Sequence, residues 1–238
     1  MQGLDPLQLI SIIELFIATG IALILSAFIF KKYKEKPISG TLIFTLNFIL
    51  VGIALACVAI DRILLLYLLD PTLGLIFHNI AILVSLGVIL LLDIFSFEMT
   101  YPDKTKKLTV LFAILLVAAG ITLLLNQPTL GAQQEILYAD ELLILILPLL
   151  MPPMIIPIFI FFYYAVMVRK ESIPKSNRAL VMGIATIVVS IGYIFEVMGI
   201  TGIAVILVRL TFVAYTFLMY IAFTQPKWFQ KIIGTENL

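Results

Sequence analysis

The side chains best placed to do chemistry in this sequence are ionisable groups inside or at the ends of long apolar stretches. They are Glu14, Asp61, Arg62, His78, Glu196 and Arg209. A charge inside a membrane-spanning segment is costly, so each is a candidate functional group by default. Their depths along the chain place them all in one third of the apolar layer. We expect them to form a polar cavity that binds a small polar or zwitterionic ligand.

Each of these groups also has a structural interpretation. Glu196 and Arg209 flank the short turn at 199–202 on adjacent antiparallel helices, so a direct ion pair is favoured over ligand contact. Asp61 and Arg62 would alternatively sit among lipid headgroups. For His78 the structural interpretation is favoured: one polar ring that is hydrogen-bonded inside a helix bundle.

A second polar set lies nearer the opposite end of the helices. Asn47 and Asp93 fall on antiparallel neighbours in the sequence, so we expect them to be in contact. They would form either half of a proton or ion path or an interhelical hydrogen bond of roughly 0.6–2 kcal/mol. The structural role is favoured, because no charged group bridges the two sets. Hydroxyl groups of the sixth segment would line the gap between them: Thr186, Ser190 and Tyr193.

The fifth segment carries four prolines, at Pro148, Pro152, Pro153 and Pro157. Each proline removes a backbone donor and clashes with the preceding turn of a helix. We therefore expect this helix to be kinked or locally unwound. A hinge or cavity-lining carbonyls and a static bend are about equally favoured.

Composition excludes several classes of protein. Of the 238 residues, 63% are hydrophobic and 12% charged, whereas soluble domains are near half and a quarter. The net charge of +1 gives no basic surplus for nucleic acid. The single cysteine, Cys57, and the single histidine exclude a disulfide framework and a Cys- or multi-His-based metal site.

Seven segments are long enough to span a membrane, which takes about 20 apolar residues. They are 7–30, 41–60 (with a continuation to 69), 74–100, 108–125, 141–167, 179–199 and 203–224. Only the connection 126–140 is longer than a tight turn. The sequence therefore predicts an all-α, polytopic seven-helix bundle that forms a single domain over residues 1–238, located in the cell membrane.

The positive charges predict the orientation of the bundle. Thirteen of the 15 Lys and Arg residues fall in odd-numbered connections or the C-terminal tail, whereas acids mark the N-terminus and the even-numbered connections. The positive-inside rule then places the N-terminus outside and the C-terminus inside.

This plan resembles that of microbial rhodopsins, of seven-helix receptors and of the seven-helix sensor modules found in front of some histidine kinases. The segment Gln225-Pro226-Lys227-Trp228-Phe229 is similar to the basic-aromatic exit after the last helix of such modules. A rhodopsin holds retinal as a Schiff base on a lysine of its seventh helix. The seventh segment here has Arg209 and no lysine, so covalent retinal is excluded and no cofactor is expected.

The leading hypothesis is a receptor-like or sensory protein, not an enzyme, with an outward-facing cavity for a small ligand. Its partners would be membrane lipid and a separate cytoplasmic signalling protein, with no nucleic acid; oligomer formation stays open. The second hypothesis is a small-solute or ion transporter that uses the proline-rich helix as its gate. The third is a membrane-embedded enzyme acting on a lipid or isoprenoid, with Glu14, Asp61 or Glu196 as its acid.

Cysteine labelling tests the orientation. In a Cys57→Ala background, cysteines introduced at 130–135 should react with an impermeant reagent from outside, and cysteines at 104–106 only from inside. Reaction of both sets from the same side would contradict both the orientation and the number of helices.

Overall fold

The computed structural model describes residues 6–131, 136–198 and 203–232. Within them, seven helices are long and apolar enough to cross a membrane. They are α1 (Pro6–Glu35), α2 (Ser39–Ile63), α3 (Pro71–Thr100), α4 (Thr105–Leu125), α5 (Asp140–Val168), α6 (Ile173–Val197) and α7 (Ile203–Thr224), and a short helix α8 (Lys227–Ile232) follows. The seven predicted spans are confirmed as helices, and their length and composition fit a multi-pass membrane protein.

Two helices, α1 and α6, extend furthest beyond the predicted apolar segments. α1 runs past residue 30 through the lysine cluster to Glu35, because lysine is a good helix former and the chain turns only before Pro37. α6 begins at Ile173 rather than 179. The hydroxyl of Ser172 accepts the backbone N–H of Lys175 and caps this start, with a proline in the first turn.

The end of α2 has an unusual backbone. The helix continues as a π-helical turn, Leu64–Leu68, and stops at Leu69, whose φ of 52° is left-handed. The Asp70 carboxylate then accepts the Leu73 N–H at 3.0 Å and caps α3. π-helical turns are frequent near functional sites, and this one directly follows Asp61 and Arg62.

The long connection between α4 and α5 contains two short strands that the sequence did not predict. β1 (Thr129–Leu130) and β2 (Ile136–Leu137) pair antiparallel, with Thr129 opposite Leu137. Two-residue strands are too short to show the alternating pattern by which strands are recognised. The pairing places Tyr138, which follows β2, at the end of the helix bundle where α4 connects to α5.

The helices pack as a closed ring. Successive neighbours are α1, α2, α3, α5, α6 and α7, and α7 packs back against α1. α4 lies outside this ring, against α3 and α5. We call the end of the bundle that carries the α2–α3 and α4–α5 connections the hairpin end. The opposite end carries the lysine-rich connections, and we call it the basic end.

The outer surface of the ring is apolar. Large hydrophobic side chains point outward along the helices, among them Ile24, Ile144 and Val166, each 70% exposed or more. A soluble protein rarely exposes apolar patches of this extent. Lipid is the solvent that such a surface fits.

The prolines do not interrupt α5. The helix is continuous from Asp140 to Val168 with all four prolines inside it, so of the two expected outcomes local unwinding is not observed and a kink stays a prediction. Each proline still leaves a carbonyl four residues earlier without its helical donor. Neighbouring groups can satisfy such carbonyls inside a bundle.

The close packing of α6 on α7 depends on Gly192. A Cβ atom there would overlap the Thr211 side chain and would lie 3.3 Å from the Val208 carbonyl oxygen. Gly192→Ala should therefore lower the thermal unfolding midpoint in detergent, with an overpacking cost of about 1–3 kcal/mol.

Gly20→Ala is the matched control, because a Cβ atom at Gly20 would meet nothing within 4 Å. It should leave the midpoint unchanged or raise it slightly, since alanine is the better helix former. Equal effects of the two substitutions would show that α6 and α7 are not packed as described.

Candidate functional site

His78 forms the centre of a hydrogen-bonded chain at the hairpin end. Its Nδ1 lies 3.2 Å from Oδ2 of Asp61 on α2, and its Nε2 lies 2.9 Å from the hydroxyl of Tyr138. Asp61 is fully buried, and His78 is 8% exposed. The chain joins α2, α3 and the segment after β2, so both ring nitrogens of the histidine are engaged.

Glu196 on α6 binds two guanidinium groups through one oxygen. Its Oε1 lies 3.3 Å from Nη2 of Arg62 and 3.5 Å from Nη2 of Arg209. The expected Glu196–Arg209 pair is therefore formed, and Arg62 joins it. The three side chains connect α2, α6 and α7.

Arg209 reaches a further helix. Its Nη1 donates to the Ser11 hydroxyl on α1 at 2.6 Å. Arg62 also lies beside Asp61, with 3.4 Å between Nε and Oδ1. We name Asp61, Arg62, His78, Tyr138, Glu196 and Arg209 the polar cluster; its two carboxylates balance its two guanidinium groups.

The polar cluster is deeply buried and not fully satisfied. Arg209 is 3% exposed. Oδ1 of Asp61 and Nε of Arg62 face each other at 3.4 Å without forming a hydrogen bond, and Nε of Arg209 has no hydrogen-bond partner among the described residues. Buried polar atoms without partners are uncommon in folded proteins and mark strain or a functional site.

Glu14, the remaining predicted residue of this group, stands apart from these contacts. It lies one turn after Ser11 on α1, close enough to Arg209 for their charges to interact. Its Oε2 is buried and has no hydrogen-bond partner among the described residues. Five of the six predicted residues are thus brought together in the polar cluster, with Glu14 at its edge.

A cavity of about 130 Å³ lies inside the ring of helices. It extends from the polar cluster toward the basic end, and we describe this position as beneath the polar cluster. Its polar end is formed by His78, Tyr138, Tyr193 and Glu196, and its body by apolar side chains of α2, α3, α5, α6 and α7. The residues of α3 that line it lie between His78 and Leu92, a stretch of helix of about 21 Å at 1.5 Å per residue. Thr186, Ser190 and Tyr193 all line it, as expected for the gap between the two polar sets.

No hydrogen bond joins Asn47 to Asp93, so the interhelical hydrogen bond predicted for this pair is not observed. Asn47 donates through Nδ2 to the Val88 carbonyl at 2.8 Å and accepts from the Tyr215 hydroxyl at 3.5 Å. Both carboxyl oxygens of Asp93 are buried and have no partner in the described part of the chain. Val88 and Asp93 are five residues apart, about 140° around the helix, so Asn47 cannot face both.

Tyr138 was missed because it lies in a connection, where nothing in its neighbourhood marks a buried side chain. Loss of hydration on burial, and then the neighbouring Tyr193 and Asp61, raise the pKa of its phenol above the ordinary value, although Arg62 acts in the opposite sense. The phenol therefore keeps its proton over the physiological range. Ser11 was missed as well, since a single serine in an apolar segment usually bonds its own helix.

The described residues include no group of three or more His, Cys, Asp and Glu side chains placed to hold a metal ion. Comparison of the chain with family models, curated proteins and solved structures gives no match. Arguments about function therefore rest on the polar cluster and the cavity beneath it.

The shared carboxylate predicts unequal effects of charge removal. Glu196→Gln removes the negative charge that two guanidinium groups share, so that Arg62 keeps only Asp61 and Arg209 keeps no carboxylate within ion-pair distance among the described residues. Arg209→Gln leaves Glu196 paired with Arg62. Breaking a buried pair typically costs about 3–5 kcal/mol. Both variants should lower the unfolding midpoint in detergent, Glu196→Gln by more.

The double variant Glu196→Gln/Arg209→Gln should unfold at a higher temperature than the sum of the single effects implies, because fewer charges are orphaned. Glu35→Gln, an exposed acid at the basic end, is the control and should change stability by less than about 0.5 kcal/mol. Strictly additive losses would argue against the pair.

Proposed function

We propose that this chain is a receptor-like or sensory seven-helix membrane protein that binds a small ligand in the cavity beneath the polar cluster. The observation that carries the proposal is the cavity's division into an apolar body and one polar end. Sites for small molecules usually combine apolar walls with a few convergent polar groups. The ring of helices encloses this space and provides both.

Binding is favoured over catalysis by the state of His78. A general base needs a ring nitrogen within reach of the proton that it abstracts. Here one nitrogen faces Asp61 and the other faces Tyr138. The histidine is thus held as a structural link that orients Tyr138 toward the cavity.

The proposal includes an orientation. Lysine and arginine residues are concentrated at the basic end, in the α1–α2, α3–α4 and α5–α6 connections and in the tail. The positive-inside rule puts this end in the cytoplasm and the polar cluster on the outer side of the cell membrane. A ligand would then arrive from outside, and output would pass to a separate cytoplasmic protein that contacts the basic connections.

A transporter is the second candidate, and one observation favours it. Pro153 and Met154 of the proline-rich helix α5 line the cavity, so a bend in this helix would change the cavity's shape. Flux of a bound ligand across proteoliposome membranes would favour the transporter. Saturable binding without flux would favour the receptor.

Filling the cavity tests whether it binds anything. Ala54 lines it on α2, and Ala54→Leu should displace a resident molecule. Small molecules released from the purified wild-type protein and identified by mass spectrometry should be depleted in this variant. Ala81→Leu, on α3, provides an independent variant of the same kind.

The control is Ala27→Leu, which adds the same volume on the exposed face of α1. It should retain whatever the wild type retains. Identical contents in all of these variants, with unfolding midpoints near the wild-type value, would contradict the proposed binding site.

A further inference from the structure

The hydrogen-bonding capacity of the cavity is strongly one-sided. Five of the hydroxyl groups in its wall form hydrogen bonds with other groups of the protein: Ser85, Tyr138, Thr186, Tyr193 and Tyr215. Each hydroxyl has one hydrogen to donate and lone pairs to accept with. The direction of each contact determines what remains for a ligand.

Two of the five hydrogens have unambiguous destinations. Thr186 donates to the Met182 carbonyl at 2.8 Å, and Tyr215 donates to the side-chain oxygen of Asn47 at 3.5 Å. A carbonyl oxygen can only accept, so both hydroxyl hydrogens are used inside the protein.

Ser85 and Tyr193 share their contacts. The Ser85 hydroxyl lies 2.7 Å from the Ile82 carbonyl and 3.1 Å from the Tyr193 hydroxyl. The carbonyl can only accept, so the single hydrogen of Ser85 goes there. Tyr193 then supplies the hydrogen of the second contact, and its lone pairs stay open to the cavity.

Tyr138 is assigned through His78. In a neutral imidazole, the Asp61 carboxylate beside Nδ1 accepts, which places the single ring hydrogen on Nδ1 and leaves Nε2 as an acceptor. Tyr138 must therefore donate to Nε2 at 2.9 Å. Its oxygen, like that of Tyr193, then faces a ligand as an acceptor.

Two further groups at the wall add acceptors. Glu196 contributes a carboxylate. Pro153 lines the wall, and its carbonyl lacks a helical donor because residue 157 is also proline. Ser190 is the exception among the lining hydroxyls, since the described residues give it no partner, and it is left to donate or to accept.

Charge and size restrict the ligand further. The carboxylates of Asp61 and Glu196 are paired with Arg62 and Arg209, and Glu14, which also lies near Arg209, does not line the cavity. A charged headgroup at this end would therefore be buried without a partner of its own. The volume of about 130 Å³ is close to that of an engineered apolar cavity, about 150 Å³, that binds benzene. A body of one ring or a short chain fits.

We propose that the cavity binds a small neutral alcohol, whose apolar body occupies the space between α2, α3, α5, α6 and α7 and whose hydroxyl donates to the Tyr138 or Tyr193 oxygen. This inference rests on the proposed function and specifies its ligand class. An alcohol donates to one of the two tyrosine oxygens and accepts from Ser190. An aldehyde or ether of the same size only accepts, and an amine or acid brings an uncompensated charge.

Four probes that share one ring separate these classes: benzyl alcohol, benzaldehyde, benzylamine and benzoate. Each is titrated against the full chain in phosphatidylcholine nanodiscs, and binding is measured by ligand-observed NMR. Parallel titration of Ala54→Leu removes the contribution of partition into lipid, which both proteins share. Ala27→Leu should behave like the wild type.

Benzyl alcohol should bind more tightly than either charged probe by more than about tenfold, and more tightly than benzaldehyde by roughly twofold to tenfold, as for one hydrogen bond. Tyr138→Phe or Tyr193→Phe should weaken the binding of benzyl alcohol by a similar factor and leave the binding of benzaldehyde unchanged. Because the two tyrosines lie on different elements, misfolding of one variant leaves the other as a test. The comparison among the four probes uses the wild-type protein alone.

If benzylamine or benzoate bound more tightly than benzyl alcohol, the inference would be overturned, although the cavity would remain a ligand site. Equal binding of the alcohol and the aldehyde, unaffected by both tyrosine substitutions, would overturn it in the same way. Binding of all four probes that is unchanged by Ala54→Leu would overturn it too. The proposed function fails separately, when the cavity-filling variants retain the same small molecules as the wild type.

Discussion

A carboxylate is tolerated inside an apolar layer only where donors surround it, and Glu196 is the point at which this constraint organises the bundle. One oxygen of its side chain accepts from Arg62 on α2 and from Arg209 on α7, and Arg209 continues to Ser11 on α1. α2 and α6 are not neighbours in the ring of helices. The Arg62–Glu196 contact therefore spans the interior and sets the distance between two helices that packing alone would not fix.

This spacing explains why a cavity lies directly beneath the polar cluster. Apolar helices that are free to approach each other close such a space, because voids lose dispersion contacts. Here two charged side chains meet across the interior, and His78 links α2 to the segment after β2 at the same level. Small residues below them, such as Ala54 and Ala81, cannot fill the gap that results. The same groups thus hold the bundle open and form the polar end of the cavity.

The number of helices and the proximity of Glu196 to Arg209 were predictable, because apolar length and helix adjacency are local properties of the chain. The Arg62–Glu196 contact was not, since it depends on which helices face each other across the ring. The Asn47–Asp93 prediction was wrong for a related reason: depth was considered without the rotational phase of α3, and Asn47 meets the Val88 backbone instead. Tyr138 reaches the site through the pairing of β1 with β2. Strands of two residues are too short for this pairing to be predicted from the sequence.

The composition of the cavity wall bears on whether a ligand is bound or conducted. An ion path needs polar groups at close intervals, because an ion without partners in an apolar region is strongly destabilised. Between the polar cluster and the level of Asn47 the wall includes Val58, Ile89 and Leu92, and its hydroxyl groups other than Ser190 donate within the protein. A neutral molecule loses little in such surroundings and gains the apolar contacts, whereas an ion would lose its hydration shell. The physical character of the wall therefore supports the proposed binding of a neutral ligand over the passage of an ion, with the polar cluster at the end of the cavity from which, in the proposed orientation, the ligand arrives.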